Sequence, residues 1–487
     1  MITPLLPFPG NRGSGVSIKR APNKRQKRGN MSNKNIRKVG FVCFGEVNTP
    51  FERLQIKHDQ AVELLTGMGM ELVDAGVVVD DAAYKTADEA VAKLKAGNFS
   101  SLIICVAGWV PTHAVIRVTD HFRHMPMLLW GMCGWMENGH IVTTADQAGT
   151  TALRPAFEEM GYKFSYVYST MDQGDPVEKI DAFVRAAHAL KRLRSARIGT
   201  MGYRDMLLYG TQCDVASLRA VLGIETEPFE MLEIVQNLEK IAEEDVQKWK
   251  TYVNENWNVL NRNEQTDEVV EKGVRYALAI GMKIEERGYE AVTLIDVDGM
   301  KKLLGFPPAM VFMLINKMYG VQVIPENDVL GAATQLMMHF ATDDTMPYLE
   351  YYEFYKDYLL AGVPDFVPEA VTDGEVTMLP AAFGLLSASL LNVSKVKPGY
   401  VTCSRLVCRK GKYGVHFYTG DAKKPPVWEE CGWDAPAPQL PSLAIYPDSC
   451  TVEEFAEKVG GQHTIVSYGD KTGIIKNMCK LADIEIV

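Results

Sequence analysis

From residue 39 onward, short apolar strands alternate with amphipathic helical stretches, and this alternation leaves few folds open. The pattern predicts strands over 39–44, 71–78, 101–107, 125–130 and 162–167. Helices are predicted between them over 52–67, 88–96, 112–121 and 145–160, with a longer one over 176–193. Strands separated by helices of about 10–15 residues build a parallel sheet of Rossmann-like topology. The strands end in Gly45, Gly108 and Gly131, where a ligand could approach the backbone and where a tight turn alone would also place glycine. No Gly-x-Gly-x-x-Gly or Gly-x-x-x-x-Gly-Lys-Ser/Thr follows any of them, so neither a dinucleotide site nor a P-loop is supported.

A second unit of the same kind starts near residue 196, with helices predicted over 213–222, 235–256 and 264–287. From about residue 372 the texture changes. Gly and Pro punctuate strands over 401–407, 414–418 and 442–446, which is the texture of antiparallel β structure. A helix over 452–459, a strand over 463–468 and a last helix close the chain. The expected fold is therefore α/β, with two Rossmann-like parallel-sheet domains (38–195 and 196–345) followed by a β-rich C-terminal domain (346–487). A length of 487 residues fits that division at roughly 150 residues per domain.

Charge narrows the partners. The net charge is −10, yet the first 38 residues hold ten Lys and Arg and no acid, so the remainder carries −20. That acidic body argues against nucleic acid as the main partner. The basic leader over 1–37 is rich in Gly, Pro, Asn and Ser, lacks the apolar core of a secretory signal, and is expected to be disordered. No run of about 18 uncharged apolar residues predicts a membrane span. Nine cysteines fall without metal-binding spacing, and Cys43 and Cys105 lie inside apolar strands, which fits reduced thiols and a cytoplasmic location.

Carboxylates gather in the stretch 289–352. A strand over 291–295 runs into Asp296 and Asp298, one over 321–324 runs into Glu326-Asn327-Asp328, and a third over 346–352 carries Glu350. Ligands of open α/β sheets bind beyond the carboxyl ends of the strands. Acids crowded there repel one another unless a cation or a shared proton compensates. Taken singly, each has a plainer role: Asn327 or Asp328 as a helix N-cap, Glu326 and Glu350 as solvated acids, His463 as a strand-edge histidine.

The block Glu326-Asn327-Asp328, Gly331-Ala332-Ala333-Thr334 and Tyr348-Leu349-Glu350 resembles the L-fucose isomerase and L-arabinose isomerase superfamily, whose L-fucose members have a Glu-Ala-Asp, a Gly-Ala-x-Thr and a Phe-Ala-Asp at similar spacing. The end of the chain, His463 followed by Ser467-Tyr468-Gly469, is similar to the family's C-terminal His and Ser-Tyr-Gly. Ala107-Gly108-Trp109 and Lys397-Pro398-Gly399 add weaker likeness. The resemblance implies a metal-dependent aldose–ketose isomerase that assembles as a homo-trimer or homo-hexamer. It implies Mn²⁺, or another divalent metal, held by Glu326, Glu350 and His463, with Glu326 and Glu350 as the catalytic pair. Two positions depart from the L-fucose enzymes: Glu350 stands where they have Asp, and Gln462 where they have Asn.

Moving a carbonyl between C1 and C2 of a sugar needs a base for a weakly acidic proton and a positive charge beside the enediolate. Carboxylates and an imidazole around a divalent ion are suited to both. Trp109 and Trp130 would suit the apolar face of a sugar, and Gln462 lies beside the expected ligands. A sulfonated hexose of the sulfoquinovose type would need a cation, for which Arg53 is the candidate. A sugar-binding or regulatory protein without activity is the alternative from another class.

Overall fold

The structure is a computed structural model that describes residues 36–362, 365–380, 389–427, 429–432 and 442–487. The basic leader, but for its last two residues, lies outside the described residues. The first sheet contains β1 (Arg37–Phe44), β2 (Met70–Val78), β3 (Leu102–Val106) and β4 (Met127–Gly131). After a small hairpin of β5 (Trp135–Glu137) and β6 (His140–Val142), β7 (Phe164–Tyr168) completes it in the order β2-β1-β3-β4-β7, all parallel. Both faces are covered. Val39, Phe41 and Cys43 point to one core, while Val42 and Phe44 point to another, the period-two alternation of a strand buried on both sides. Cys43 and Cys105 face each other across β1 and β3 as free buried thiols.

The second sheet uses β8 (Arg197–Met201), β9 (Glu225–Phe229), β11 (Ala291–Leu294) and β12 (Gln322–Ile324), in the order β12-β11-β8-β9 and again parallel. Gly199 of β8 is there for space, because a Cβ would sit 2.5 Å from the ring of Tyr289. The single helix expected over 235–256 is two, Met231–Leu238 and Glu243–Asn256. A capping box of Glu230 and Glu233 starts the first, and Glu243, Glu244 and Asp245 fill the first turn of the second, where acids favour the helix N-terminus. Directly after the second of these helices, β10 (Trp257–Val259) belongs to a separate small sheet. It pairs with β15 (Val376–Pro380), which pairs in turn with β16 (Leu390–Asn392).

The C-terminal strands are β13 (Tyr348–Phe354), β14 (Leu359–Gly362), β17 (Gly399–Arg409), β18 (Lys412–Lys423), β19 (Ser442–Pro447) and β20 (His463–Tyr468). They run in the order β17-β20-β13-β14-β19-β18, and β18 pairs back onto β17. The antiparallel strands therefore close into a barrel, which removes exposed edges from the ring. A short β21 (Glu485–Ile486) lies parallel to β18. The almost wholly buried helix Val329–Thr342 connects β12 to β13, and one apolar core runs from the first sheet through this helix into the barrel. Among the described residues no helix is long and apolar enough to cross a membrane.

Candidate metal centre

The site forms where the second sheet meets the barrel. On the sheet side the chain leaves β12, passes Pro325, and takes a left-handed backbone at two successive non-glycine residues, Glu326 (φ 60°) and Asn327 (φ 48°). Such residues are strained by roughly 1–3 kcal/mol each unless their surroundings hold them. Here four hydrogen bonds do so. The Glu326 amide donates to Asp296 Oδ1 (2.6 Å) and the Asn327 amide to the Leu294 carbonyl (2.8 Å). The Asn327 side chain donates to the Tyr203 carbonyl (2.6 Å), and the Asn327 backbone carbonyl accepts from Gln212 Nε2 (2.6 Å). Asp296 itself opens a wide helical turn, Asp296–Lys301, whose Val297 and Asp298 amides donate to the buried Asp205 carboxylate at 2.9 and 2.8 Å.

Asp328 does cap the next helix, accepting from the Gly331 amide at 2.9 Å, but capping is the smaller part of its role. Its carboxylate is fully buried and forms a two-pronged ion pair with Arg405 of β17, and it also accepts from the Tyr348 hydroxyl at 2.7 Å. Burial pushes the Asp328 carboxyl upward in pKa, yet the guanidinium more than offsets this and holds it below the usual range. Gly331 leaves room for the arrangement, since a Cβ there would lie 2.5 Å from Asp328 Oδ2. Asp328 is thus the N-cap read from the sequence, and it carries a buried ion pair besides. The local motif (residue 328 to 331) was legible, whereas the pairing with a residue 77 positions away was not.

On the barrel side, Glu350 of β13 and His463 of β20 are register partners on adjacent antiparallel strands. Their side chains meet Glu326 from across the junction. His463 Nε2 lies 3.3 Å from Glu326 Oε2, its Nδ1 is aimed at Asp328 Oδ2 at 3.7 Å, and its ring packs on Tyr348 with centroids 4.5 Å apart. One donor atom from each of Glu326, Glu350 and His463 falls within 4.8 Å of the other two. Gln462 covers the group from the solvent side. Its Nε2 is 3.3 Å from Glu326 Oε2, 3.3 Å from Glu350 Oε1 and 3.4 Å from His463 Nε2.

The electrostatics are those of crowded acids. Burial raises the Glu350 pKa, and nearby Glu326 and Asp365 raise it further against the lowering by His463. Behind the site, burial and Asp365 push Asp296 well up, and among the described residues its Oδ2 has no hydrogen-bond partner. Lys301 lies 3.6 Å from Asp296 and 3.4 Å from Asp365. Burial opposes the charge of its ammonium, but the two carboxylates more than offset that and keep its pKa raised. The Tyr352 hydroxyl, two residues beyond Glu350 on the same strand, is buried with no hydrogen-bond partner among the described residues. Burial, then Glu350, Asp365 and Glu326, hold its pKa up.

This donor set fits a divalent cation. Two carboxylates and one imidazole make an oxygen-rich site of intermediate hardness. Ligands about 2.1 Å from an ion stand roughly 3–4 Å apart, and the 3.3 Å between Glu326 and His463 is of that size. An N–H donor already points at all three donor atoms, so the cradle is shaped to receive positive charge. The carboxylate of Asp328 beyond His463 Nδ1 is placed as an outer partner that would orient the imidazole.

The other expected site residues lie elsewhere. Trp130 is fully enclosed in β4 and donates its indole N–H to Ser169 Oγ at 2.9 Å, so it offers no face to a sugar. Trp109 is 40% exposed after β3. Arg53 is engaged with Glu137 (3.0 Å) and stands 5.0 Å over the Trp135 ring. Among the described residues no hydrogen bond or ion pair joins either to Glu326, Glu350 or His463. Arg405, Lys301 and Asp365 escaped the sequence reading, and Tyr348 entered it only as part of the block Tyr348-Leu349-Glu350. For Arg405 a signal existed, a lone cation inside the apolar run Val401–Val407.

Fold and site together define a class: a mixed α/β protein with a β-barrel region and a carboxylate–imidazole cradle at the junction. Comparison with known proteins then brings in L-fucose isomerases. One from Haemophilus influenzae (strain PittEE) is 27% identical over 201 residues, which is 40% of this chain and 34% of that protein. One from Vibrio vulnificus (strain YJ016) is 30% identical over 122 residues, 25% of this chain and 21% of the relative. One from Bacteroides thetaiotaomicron is 24% identical over 167 residues, 34% and 28% of the respective chains. The matches thus span about a third or less of the length of these curated relatives. No protein-family profile matches the chain. Among solved structures, a periplasmic sugar-binding protein from Legionella pneumophila aligns over 63% of this chain and 96% of its own, at 12% identity and a TM-score of 0.17. That superposition is too poor to define a shared fold.

Proposed function

We propose that the protein is a metal-dependent aldose–ketose isomerase acting on a hexose or modified hexose. The observation that carries this reading is the convergence of Glu326, Glu350 and His463 from two different sheets on one point. Partial similarity to L-fucose isomerases supports it. Glu326, Glu350 and His463 would hold the divalent cation, Mn²⁺ being the first candidate, and the cation would supply positive charge beside the two reacting oxygens. The protein's own groups do the proton work. One carboxylate takes the proton from C2 and returns it to C1, while the hydroxyl proton passes from O2 to O1. Glu326 and Glu350 are the candidates for that carboxylate, since each brings an acid oxygen to the point where they meet His463. Asp328, Tyr348 and Arg405 fix the imidazole and the chain around it.

A sulfonated substrate has less support, because Arg53 is already paired with Glu137. A homo-trimer or homo-hexamer belongs to the same reading. It is supported by the exposed apolar loop near the site, where Tyr203, Met206, Leu207 and Tyr209 are 58%, 39%, 62% and 84% exposed. Light scattering that returns a monomer at micromolar concentration overturns that part. The central test is a Mn²⁺-supplemented panel of aldoses followed by NMR for ketose, run on wild type and on Glu326→Gln, Glu350→Gln and His463→Ala. Each variant is expected to fold, to bind Mn²⁺ more weakly and to lose about 10²–10⁴-fold in rate. Full metal occupancy and turnover in all three refute the assignment.

A further inference from the structure

We propose that Gln462 is a rotatable fourth ligand of the cation, a role that rests on the metal reading above. Its carboxamide reaches all three expected ligands, at 3.3, 3.3 and 3.4 Å. The stem is anchored where the Gln462 carbonyl accepts from the Tyr351 amide at 2.9 Å. The residue as a whole is exposed, so the end of the side chain can turn without disturbing the core. An amide presents an N–H₂ donor and a carbonyl acceptor of nearly equal size at its two ends.

The two ends answer two states of charge. Without a cation, Nε2 turned inward donates to Glu326 and Glu350 and relieves the repulsion between two carboxylates brought together by separate sheets. With a cation, the same N–H₂ group would point hydrogen at positive charge. Rotation about the last side-chain bond exchanges it for Oε1, a hard neutral oxygen of the kind that divalent cations accept from Asn, Gln and backbone carbonyls. Gln462 therefore serves the cradle in both conditions, and it fills on the solvent side a position that water would otherwise take. Because it reaches the cation from outside, it is also the ligand most easily exchanged for a substrate oxygen.

The test uses the full chain and Mn²⁺ alone, without sugar. Affinity is read by calorimetry, and the number of inner-sphere waters by ¹⁷O relaxation. Gln462→Ala is expected to weaken Mn²⁺ about tenfold, or 1.4 kcal/mol, and to add one inner-sphere water. Gln462→Glu, which supplies a charged oxygen at the same reach, is expected to bind more tightly than wild type. The metal-free Gln462→Ala protein should melt lower than metal-free wild type, because the facing carboxylates lose their shared donor. Wild-type affinity and hydration in Gln462→Ala overturn the proposal, as does tighter binding, which would make the side chain a plug. If wild type itself takes up no Mn²⁺, the metal reading falls first. If wild type binds and only the Gln462 variants are silent, this inference alone fails.

Discussion

Replacing Asp328 with Asn separates a cap from a buried ion pair. Asn caps a helix about as well as Asp, so a pure cap predicts almost no loss. The structure predicts a large one. The Asp328 side chain is 0% exposed and Arg405 5%. Oδ1 can remain an oxygen for the Gly331 amide, but the atom replacing Oδ2 becomes an N–H₂ group facing two donors, Arg405 Nη1 and the Tyr348 hydroxyl. Removing one partner of a buried pair leaves an uncompensated charge and costs about 3–5 kcal/mol. Equilibrium urea titration followed by tryptophan fluorescence should place Asp328→Asn in that range. Replacing both partners with apolar residues, Asp328→Leu with Arg405→Met, removes the stranded charge and should recover much of the loss. A change within about 0.5 kcal/mol for Asp328→Asn, the size of an ordinary surface substitution, would refute the reasoning.

Two further predictions concern the scaffold. His58, buried on the helix Phe51–Gly67, bonds Asp74 at 3.0 Å and Asp59 at 2.8 Å, and the Asp74 bond outweighs burial to raise its pKa to about 9. The folded value lies above the unfolded one, so the stabilisation is complete below about pH 6.5 and is lost as pH rises through about 9. Because both acids are partly exposed, the effect should be about 1–2 kcal/mol. It is read as a urea-midpoint difference between wild type and His58→Gln that is present at acid-to-neutral pH and vanishes above the raised pKa; a pH-independent difference contradicts it. Gly199→Ala pushes a methyl against the Tyr289 ring and should destabilise by about 1–3 kcal/mol, and an unchanged melting temperature would show that the ring has room to move.

How much of this was legible in the sequence follows from where each signal resides. β1, β3 and β4 are buried on both faces, so their apolar runs stood out and the parallel sheet was readable. β9, with the sequence Glu-Thr-Glu-Pro-Phe, is an edge strand whose polar residues concealed it. β10, β15 and β16 are pieces of three to five residues held by pairing partners more than a hundred residues away from β10, and periodicity cannot reveal such short segments. At the site, Glu326 and Glu350 were singled out as clustered acids. Their meeting with His463 was legible only through family resemblance, because the register of β13 against β20 is set by barrel closure. The buried pair Asp328–Arg405 lay hidden for the same reason: charge compensation between elements far apart in the chain is a tertiary fact.

The left-handed turn at Glu326 and Asn327 sets stability against chemistry at a single position. Glycine adopts that backbone without penalty, so Glu326→Gly would relieve strain while deleting the acid that faces His463. Thermostability screening that ignored activity would favour glycine there, and the better it succeeded the more thoroughly it would disarm the protein. A lineage with no use for the acid would have the same incentive to drift. Glutamate at so uncomfortable a turn is thus a gauge: among descendants of this sequence, its replacement by glycine would mark the point at which selection no longer held an acid opposite His463.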